Sequence, residues 1–388
     1  MICASLRIPP RLAQLAFHTN PILGGLLNAT FGNATELIVC YFALEKGLLR
    51  VVQVSLLGSI LSNALLVLGF ACLVAGIKQV QVKFNLVAAG SNVRERSLLF
   101  CPLILRPAAD ANAAHAQLPS AGCAIPTQPP CGYLVALRSP SSCRCFVTVC
   151  DCRCVFRAQA TLLTVAVLSL IVPVVLVSVG QLELGSEEDL LLSRIISGFM
   201  LATYVCYVFF QLVTHKALFE EQGDEDGEDD EEEVVLSLNG AICWLAISTV
   251  LIAYLSEGLT AAIEGAAEGW GMSETFVGFI ILPIVGNAAE HSTAVVMANK
   301  GKMDLAIGVA LGSSTQIALM VIPTMVLLAA PMHQPLSLCF GVFETIVTFV
   351  SVLVVGMVIV DGETNWLEGV MLLMAYCIIG TAFWFYHG

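Results

Sequence analysis

Residues 26–47 read LLNATFGNATELIVCYFALEKG, and residues 281–301 read ILPIVGNAAEHSTAVVMANKG. The two stretches align without gaps. Gly32, Asn33, Ala34 and Glu36 fall on Gly286, Asn287, Ala288 and Glu290, and Lys46-Gly47 falls on Lys300-Gly301. At the same offset LLGSILSNALLVLG (56–69) lies on ALGSSTQIALMVIP (310–323), so that Leu57-Gly58-Ser59 matches Leu311-Gly312-Ser313 and Ala64-Leu65 matches Ala318-Leu319. Two matched blocks at one offset are the mark of an internal repeat.

The setting of the repeat is apolar. Of the 388 residues 57% are hydrophobic and only 12% charged, and the mean hydropathy is +0.87. A soluble domain carries about 25% charged residues, so lipid must be the solvent for most of this chain. The formal net charge of -13 is concentrated between Glu220 and Glu233, a run without Lys or Arg. One acidic block in an otherwise near-neutral chain points to cation handling and excludes nucleic-acid binding. The N-terminus MICASLRIPPRLAQ shows no clean signal peptide.

A spanning helix takes about 20 mostly apolar residues. Stretches near 22–45, 51–77, 160–182, 192–214, 235–257, 274–298, 303–330, 336–360 and 366–386 qualify. The expected fold is therefore an all-α polytopic membrane protein with about nine transmembrane helices. From the span of Asn33 to that of Asn287 is an odd number of spans, which makes the repeats inverted, as in transporters whose midplane site lies between two such halves. The expected organisation is an N-terminal segment 1–21, the signature and partner helices of repeat 1 at 22–89, the rest of repeat 1 at 158–216, an acidic connector at 217–233, and repeat 2 at 234–388. Between them, residues 90–157 form an atypical block rich in Pro, Ser, Arg and Cys with no periodicity, expected to be unstructured. Eight of the 15 Cys lie there, between Cys101 and Cys154. Their CxC pairs lack the spaced partners of a zinc site, and no spacing repeats as in a secreted disulfide framework.

Asn33 and Glu36 are three residues apart, as are Asn287 and Glu290, and residues three apart share a helix face. Each repeat thus presents a carboxamide and a carboxylate in one direction inside an apolar span. An ionised Glu at that depth costs several kcal/mol, on the order of +2.5–3.5 or more, unless it faces a partner or a wet cavity. Two facing carboxylates repel unless a cation or a proton lies between them. That arrangement suits a hard divalent cation, which prefers oxygen ligands. Gly32 and Gly286 would let the helices open and bare their carbonyls. Snorkelling carboxylates and carboxamides that only glue helices are the bland alternative, which the symmetry opposes. Ser55, Ser59, Ser62 and Asn63, with Ser313, Ser314, Thr315 and Gln316, supply matched small polar groups, suited to close packing and to ligation alike. His291, next to Glu290, can relay protons or simply bond a neighbour. Glu257, near a span end, can line an access path or cap a helix. The acidic run, with Asp224, Asp226, Asp229, Asp230 and Glu231, fails the EF-hand spacing. It is either a cation-concentrating mouth or a solvated linker. Asn28 and Asn33 fit the N-x-[ST] pattern, but inside a span.

At these residues the sequence resembles the cation/proton exchanger family, typically vacuolar calcium/proton antiporters. GGLLNATFGNATELIV and LPIVGNAAEHSTAVV match its two signature motifs, and LLGSILSNALLVLG, LGSSTQIALMVIP and the acidic connector match too. The resemblance covers roughly residues 11–89 and 158–388. It implies Glu36 and Glu290 as alternating carriers of calcium and protons, with Asn33, Asn287, Ser59, Ser313 and Gln316 around them, and the acidic segment as a cytosolic helix on the permeation path. It further implies that Ala89 would continue directly into about Gln159. The block between is then a retained intron or a lineage-specific loop. Family members carry further helices before the first signature span, so the first repeat is expected to miss its opening helix.

The expected function is secondary active antiport: calcium leaves the cytosol for an acidic compartment, in the vacuolar or another endomembrane, in exchange for protons. The alternatives are another cargo or coupling ion, manganese or sodium, or an inactive membrane subunit. No enzyme activity and no cofactor are implied. The partners are calcium, protons and the bilayer, with a homo-oligomer left open. Placing the acidic connector in the cytosol puts Lys78, Lys83, Arg94, Arg96, Lys300 and Lys302 there too, as the positive-inside rule prefers. Lys46 and Arg50 fall on the opposite side, against that rule.

Overall fold

The structure, a computed structural model, describes residues 32–79, 82–83, 151–214 and 238–386. All of them belong to one compact unit. The elements are α1 (Ala34–Glu45), α2 (Leu49–Lys78), β1 (Val82–Lys83), α3 (Asp151–Ser178), α4 (Glu187–Thr214), α5 (Leu238–Trp270), α6 (Glu274–Gly286), α7 (Ala288–Asn299), α8 (Met303–Ala329), α9 (Val342–Ile359), β2 (Glu363–Thr364) and α10 (Trp366–Phe385). Seven described helices are long and apolar enough to cross a membrane, and α6 with α7, bent by 52° at their junction, make an eighth candidate. The expected count of nine is thus not reached among the described residues. The span expected at 22–45 is represented by α1, and its earlier part lies outside them, as does the whole acidic run 217–233.

The repeat is written into the backbone. α1 and α7 are both twelve residues long and occupy matched positions. Each is preceded by an Asn outside helical geometry, Asn33 at φ -103 ψ 23 and Asn287 at φ -83 ψ 16. Each ends in a Lys followed by a glycine with positive φ, Gly47 at 73° and Gly301 at 83°, a conformation that an L side chain adopts only with strain. The tight turn that follows leads into α2 and α8. Both of these carry a π-helical turn at matched positions, Ser62–Val67 and Ile317–Val321.

The described contacts show the inversion directly. α1 and α2 form an antiparallel hairpin, closed by Leu48 N donating to Ala43 O at 2.9 Å and continued by Cys40 Sγ against Ser55 Oγ at 3.8 Å. α2 runs parallel to α6 and α7. Val54 touches Gly278, and Gly58 touches Phe279 and Pro283. Further along, Ser62 meets His291 and Lys78 meets Asn299. α1 is therefore antiparallel to α7. The packing obeys the same symmetry: the end of α2 lies on α10 and the end of α8 on α4, while α3 lies on α9. Close approach at the crossing of α2 and α6 depends on Gly58, where a Cβ would stand 2.2 Å from the carbonyl oxygen of Phe279.

Three sequence expectations are corrected. α3 begins at Asp151, inside the block 90–157 expected to be unstructured, because a helix stabilised by an apolar span propagates into its flank at one hydrogen bond per residue. The rest of that block lies outside the described residues. α5 runs to Trp270 rather than ending near 257. The charged Glu257 ended the apolar run but not the helix, since Leu, Ala and Glu are all good helix formers. Finally, the break between α6 and α7 comes at Asn287, whose side chain is bonded to Ser59 O on α2, rather than at the preceding Gly286.

The misplaced positive charges are accounted for. Arg50 forms an ion pair with Glu344, whose side chain is fully buried at the start of α9. Lys46 Nζ donates to the carbonyl oxygen of Glu257 at 3.3 Å. Nearby, Gln53 Nε2 donates to Ser337 O at 3.1 Å and Cys339 O at 3.2 Å, fastening α2 to the loop before α9. At the other end β1 pairs antiparallel with β2, Val82 opposite Thr364.

Candidate functional site

The residues that open α1 and α7 seat themselves on each other's partner helix. Asn33 Nδ2, before α1, donates to Gln316 Oε1 on α8 at 2.5 Å. Asn287 Nδ2, before α7, donates to the carbonyl oxygen of Ser59 on α2 at 3.2 Å. That carbonyl also takes the N–H of Ser62 at the π turn. Ser314 Oγ on α8 donates across to Ile60 O at 3.3 Å as well as to Ala310 O at 2.9 Å. A π turn widens the helical ring by one residue, and such turns recur at functional sites. Here both lie beside these Asn contacts.

Glu36 lies in the first turn of α1 and is 6% exposed. It lines a small cleft between α1, α2, α5 and α6, together with Thr35, Cys40, Ser55, Ser59 and Leu259. Its Oε2 is buried without a hydrogen-bond partner, and so is the Oδ1 of Asn287. Both are acceptors. Buried acceptors left unsatisfied cost about 1–3 kcal/mol each. Glu290, on the first turn of α7, is half-buried, and Gly286 one turn before it borders the Glu36 carboxylate. α5 packs on α1, whereas among the described residues no helix stands in the equivalent place on α7, where Ser292 and Val296 are exposed.

The remaining expected residues divide. His291 bonds Ser62 Oγ through Nε2 at 3.1 Å, within the same cluster. Ser313 is half-buried on α8, but the cross-repeat contact comes from its neighbour Ser314. Glu257 is exposed in mid-helix rather than at a span end. Its neighbour Leu259 reaches the cleft while its own carbonyl holds Lys46. Asp224, Asp226, Asp229, Asp230 and Glu231 lie outside the described residues. Asn63, fully buried in the π turn with both side-chain polar atoms unpartnered, was visible in the sequence only as one small polar group among several. Glu344 carried a clearer signal, a carboxylate within an apolar run, which by itself calls for a partner.

A lipid-immersed bundle of two inverted repeats, with a broken helix and buried carboxylate and carboxamide oxygens between them, is the architecture of a secondary cation transporter. The family model described as sodium/calcium exchanger protein matches residues 3–106 and 240–385. The chain belongs to that family. It is 38% identical over 374 residues to the vacuolar cation/proton exchanger 2 of Oryza sativa subsp. japonica, covering 95% of this chain and 70% of that protein. It is 37% identical over 374 residues to the vacuolar calcium ion transporter of Schizosaccharomyces pombe, covering 96% and 74%. Its fold superimposes on the selenium-substituted Ca2+/H+ antiporter protein YfkE with a TM-score of 0.67 and 29% identity, covering 99% of this chain and 89% of that one.

Proposed function

We propose that this protein exchanges calcium for protons across a vacuolar or other acidic endomembrane, with Glu36 and Glu290 as the groups that carry calcium and protons in turn. The observation that carries the reading is the unpartnered carboxylate oxygen of Glu36, buried in a cleft lined with hydroxyls and bordered by Gly286, one turn before Glu290. The names of the relatives agree with it. Calcium takes oxygen ligands from carboxylates, carboxamides, carbonyls and hydroxyls. Glu36, Glu290, Asn287 and Ser59 offer these, while Asn33 and Gln316 hold the two repeats in register. His291, bonded to Ser62, stands next to Glu290 as a proton relay.

The mechanism follows from charge. Two ionised carboxylates in a low-dielectric site are stable together only with a cation between them. On the acidic side protons replace calcium, and the neutral pair crosses back at low cost. On the cytosolic side deprotonation restores the site. Inverted repeats permit this because each half can take the conformation of the other around a fixed centre. The acidic run 217–233 raises the local calcium concentration at the cytosolic mouth, and residues 90–150 form a segment outside the transport fold. Uptake by proteoliposomes under an imposed pH gradient, with calcium, manganese and sodium compared, tests the reading. Calcium uptake that collapses when the gradient is dissipated supports it. Uptake driven instead by a sodium gradient overturns it.

A further inference from the structure

Cys40 stands one helical turn beyond Glu36 on α1 and lines the same cleft. Residues four apart on a helix are neighbours, about 5–6 Å between Cβ atoms. The thiol is 2% exposed, and its recorded polar neighbour is Ser55 Oγ at 3.8 Å, longer than a firm bond, with that hydroxyl already donating to Val52 O at 3.1 Å. Glu36, whose Oε2 is buried and unpartnered, lines the same cleft. A buried thiol among apolar side chains commonly does nothing but fill volume. Cys40 differs because its cleft also holds an unsatisfied carboxylate.

We propose that Cys40 and Glu36 together form a soft-cation site inside the transport cleft, which takes thiophilic divalent cations such as cadmium and thereby sets how the exchanger discriminates them from calcium. The inference rests on Glu36 being a transport carboxylate. No group of three His, Cys, Asp or Glu side chains gathers among the described residues, so the site has two anionic donors, completed by the hydroxyls of Ser55, Ser59 and Thr35. Hard calcium uses the oxygens and ignores the thiol. A soft cation displaces the thiol proton, forms a metal–sulfur bond, and releases that proton to the cleft. Thiolate and carboxylate then balance its two charges. Cadmium so held occupies Glu36 and excludes calcium, so the two ions compete.

The test uses the full chain, purified and reconstituted, with cadmium as the probe. In the wild type the ultraviolet thiolate-to-cadmium charge-transfer band should grow with cadmium and fall when calcium is added. The difference between wild type and Cys40→Ser isolates this thiol from the others. Cys40→Ser should raise the cadmium concentration that half-inhibits calcium uptake by about tenfold, the loss of one strong ligand. Cys72→Ser, a buried thiol outside the cleft, should not change it. If Cys40→Ser keeps the wild-type cadmium sensitivity and the calcium-sensitive band, the proposal is wrong. Should Cys40→Ser fail to transport, the absorbance difference on purified protein decides alone. Failure of the transport reading shows elsewhere, as calcium uptake that survives Glu36→Gln.

Discussion

Asn33 donates its side-chain amide to Gln316 at 2.5 Å although the two residues stand 283 apart in the chain. The bond ties the start of α1 to the residue before the π turn of the opposite repeat, and Asn287 makes the reciprocal tie to Ser59. Removing either partner frees a helix end that must hold still around a carboxylate. Asn33→Ala and Gln316→Ala should each slow calcium uptake. The double variant should be no slower than the slower single one, since they break one interaction, with a coupling of about 1 kcal/mol. Rates measured in a double-mutant cycle check this, and additive losses would show two independent roles.

The carboxylates should tolerate no neutralisation. Glu36→Gln and Glu290→Gln each mimic the protonated form permanently, so pH-driven calcium uptake should drop to the level of empty vesicles at normal expression. Glu→Asp keeps the charge and shortens the reach, and should be milder. Near-normal uptake by either Gln variant removes that residue from the mechanism.

The acidic run is auxiliary. Neutralising Asp224, Asp226, Asp229, Asp230 and Glu231 should change the apparent calcium affinity or rate a few-fold. The change should shrink as salt rises, because exposed charges are screened within about 8–10 Å near physiological ionic strength. Complete loss of transport from a folded protein would assign the run a larger part.

Arg50 and Glu344 form a pair in which the carboxylate is fully buried and the guanidinium partly exposed, at 36%. Arg50→Met strands a buried negative charge and should destabilise the protein by up to about 3 kcal/mol. Adding Glu344→Leu removes the stranded charge and should restore most of that. Thermal unfolding in detergent, comparing the single and double variants, reads the difference; a double variant no more stable than Arg50→Met would mean that packing, not charge, governs the site.

Deleting residues 90–150, short of the start of α3, should leave calcium uptake unchanged, since loop-closure cost grows only as the logarithm of length, about 0.6 kcal/mol per doubling. Uptake lost together with cell-surface or vacuolar targeting would be a trafficking effect. Loss in reconstituted vesicles would place the segment in the transport fold.

Much of the fold was legible because the repeat is a matter of identity at fixed spacing. Asn33, Glu36, Asn287 and Glu290 announce themselves twice. What could not be read is what depends on contacts between distant segments. Nothing local distinguishes Ser314, which crosses to Ile60, from Ser313, which does not. Arg50 looked like a charge on the wrong side because its partner lies 294 residues away. Glu257 ended a hydropathy window but not a helix, since hydropathy reports the solvent of a segment and not its hydrogen bonding. The kink site was misplaced by one residue because glycine signals permission to bend, whereas the packing of Asn287 on Ser59 determines where the bend falls.

The antiparallel placing of α1 and α7 has a consequence for energetics. In a molecule whose halves were identical, exchanging their conformations would yield a second state of equal energy facing the other compartment. This chain departs from that ideal in a few identifiable places. Arg50 is neutralised by Glu344 on α9, and Gln53 grips the loop ahead of it. Arg50 and Gln53 are matched in the other repeat by Asp304 and Ile307, which cannot make the same bonds. Such mismatches alone can set a preferred idle orientation, so the bias of the rocker is stored at its rim and not at its ion-carrying centre.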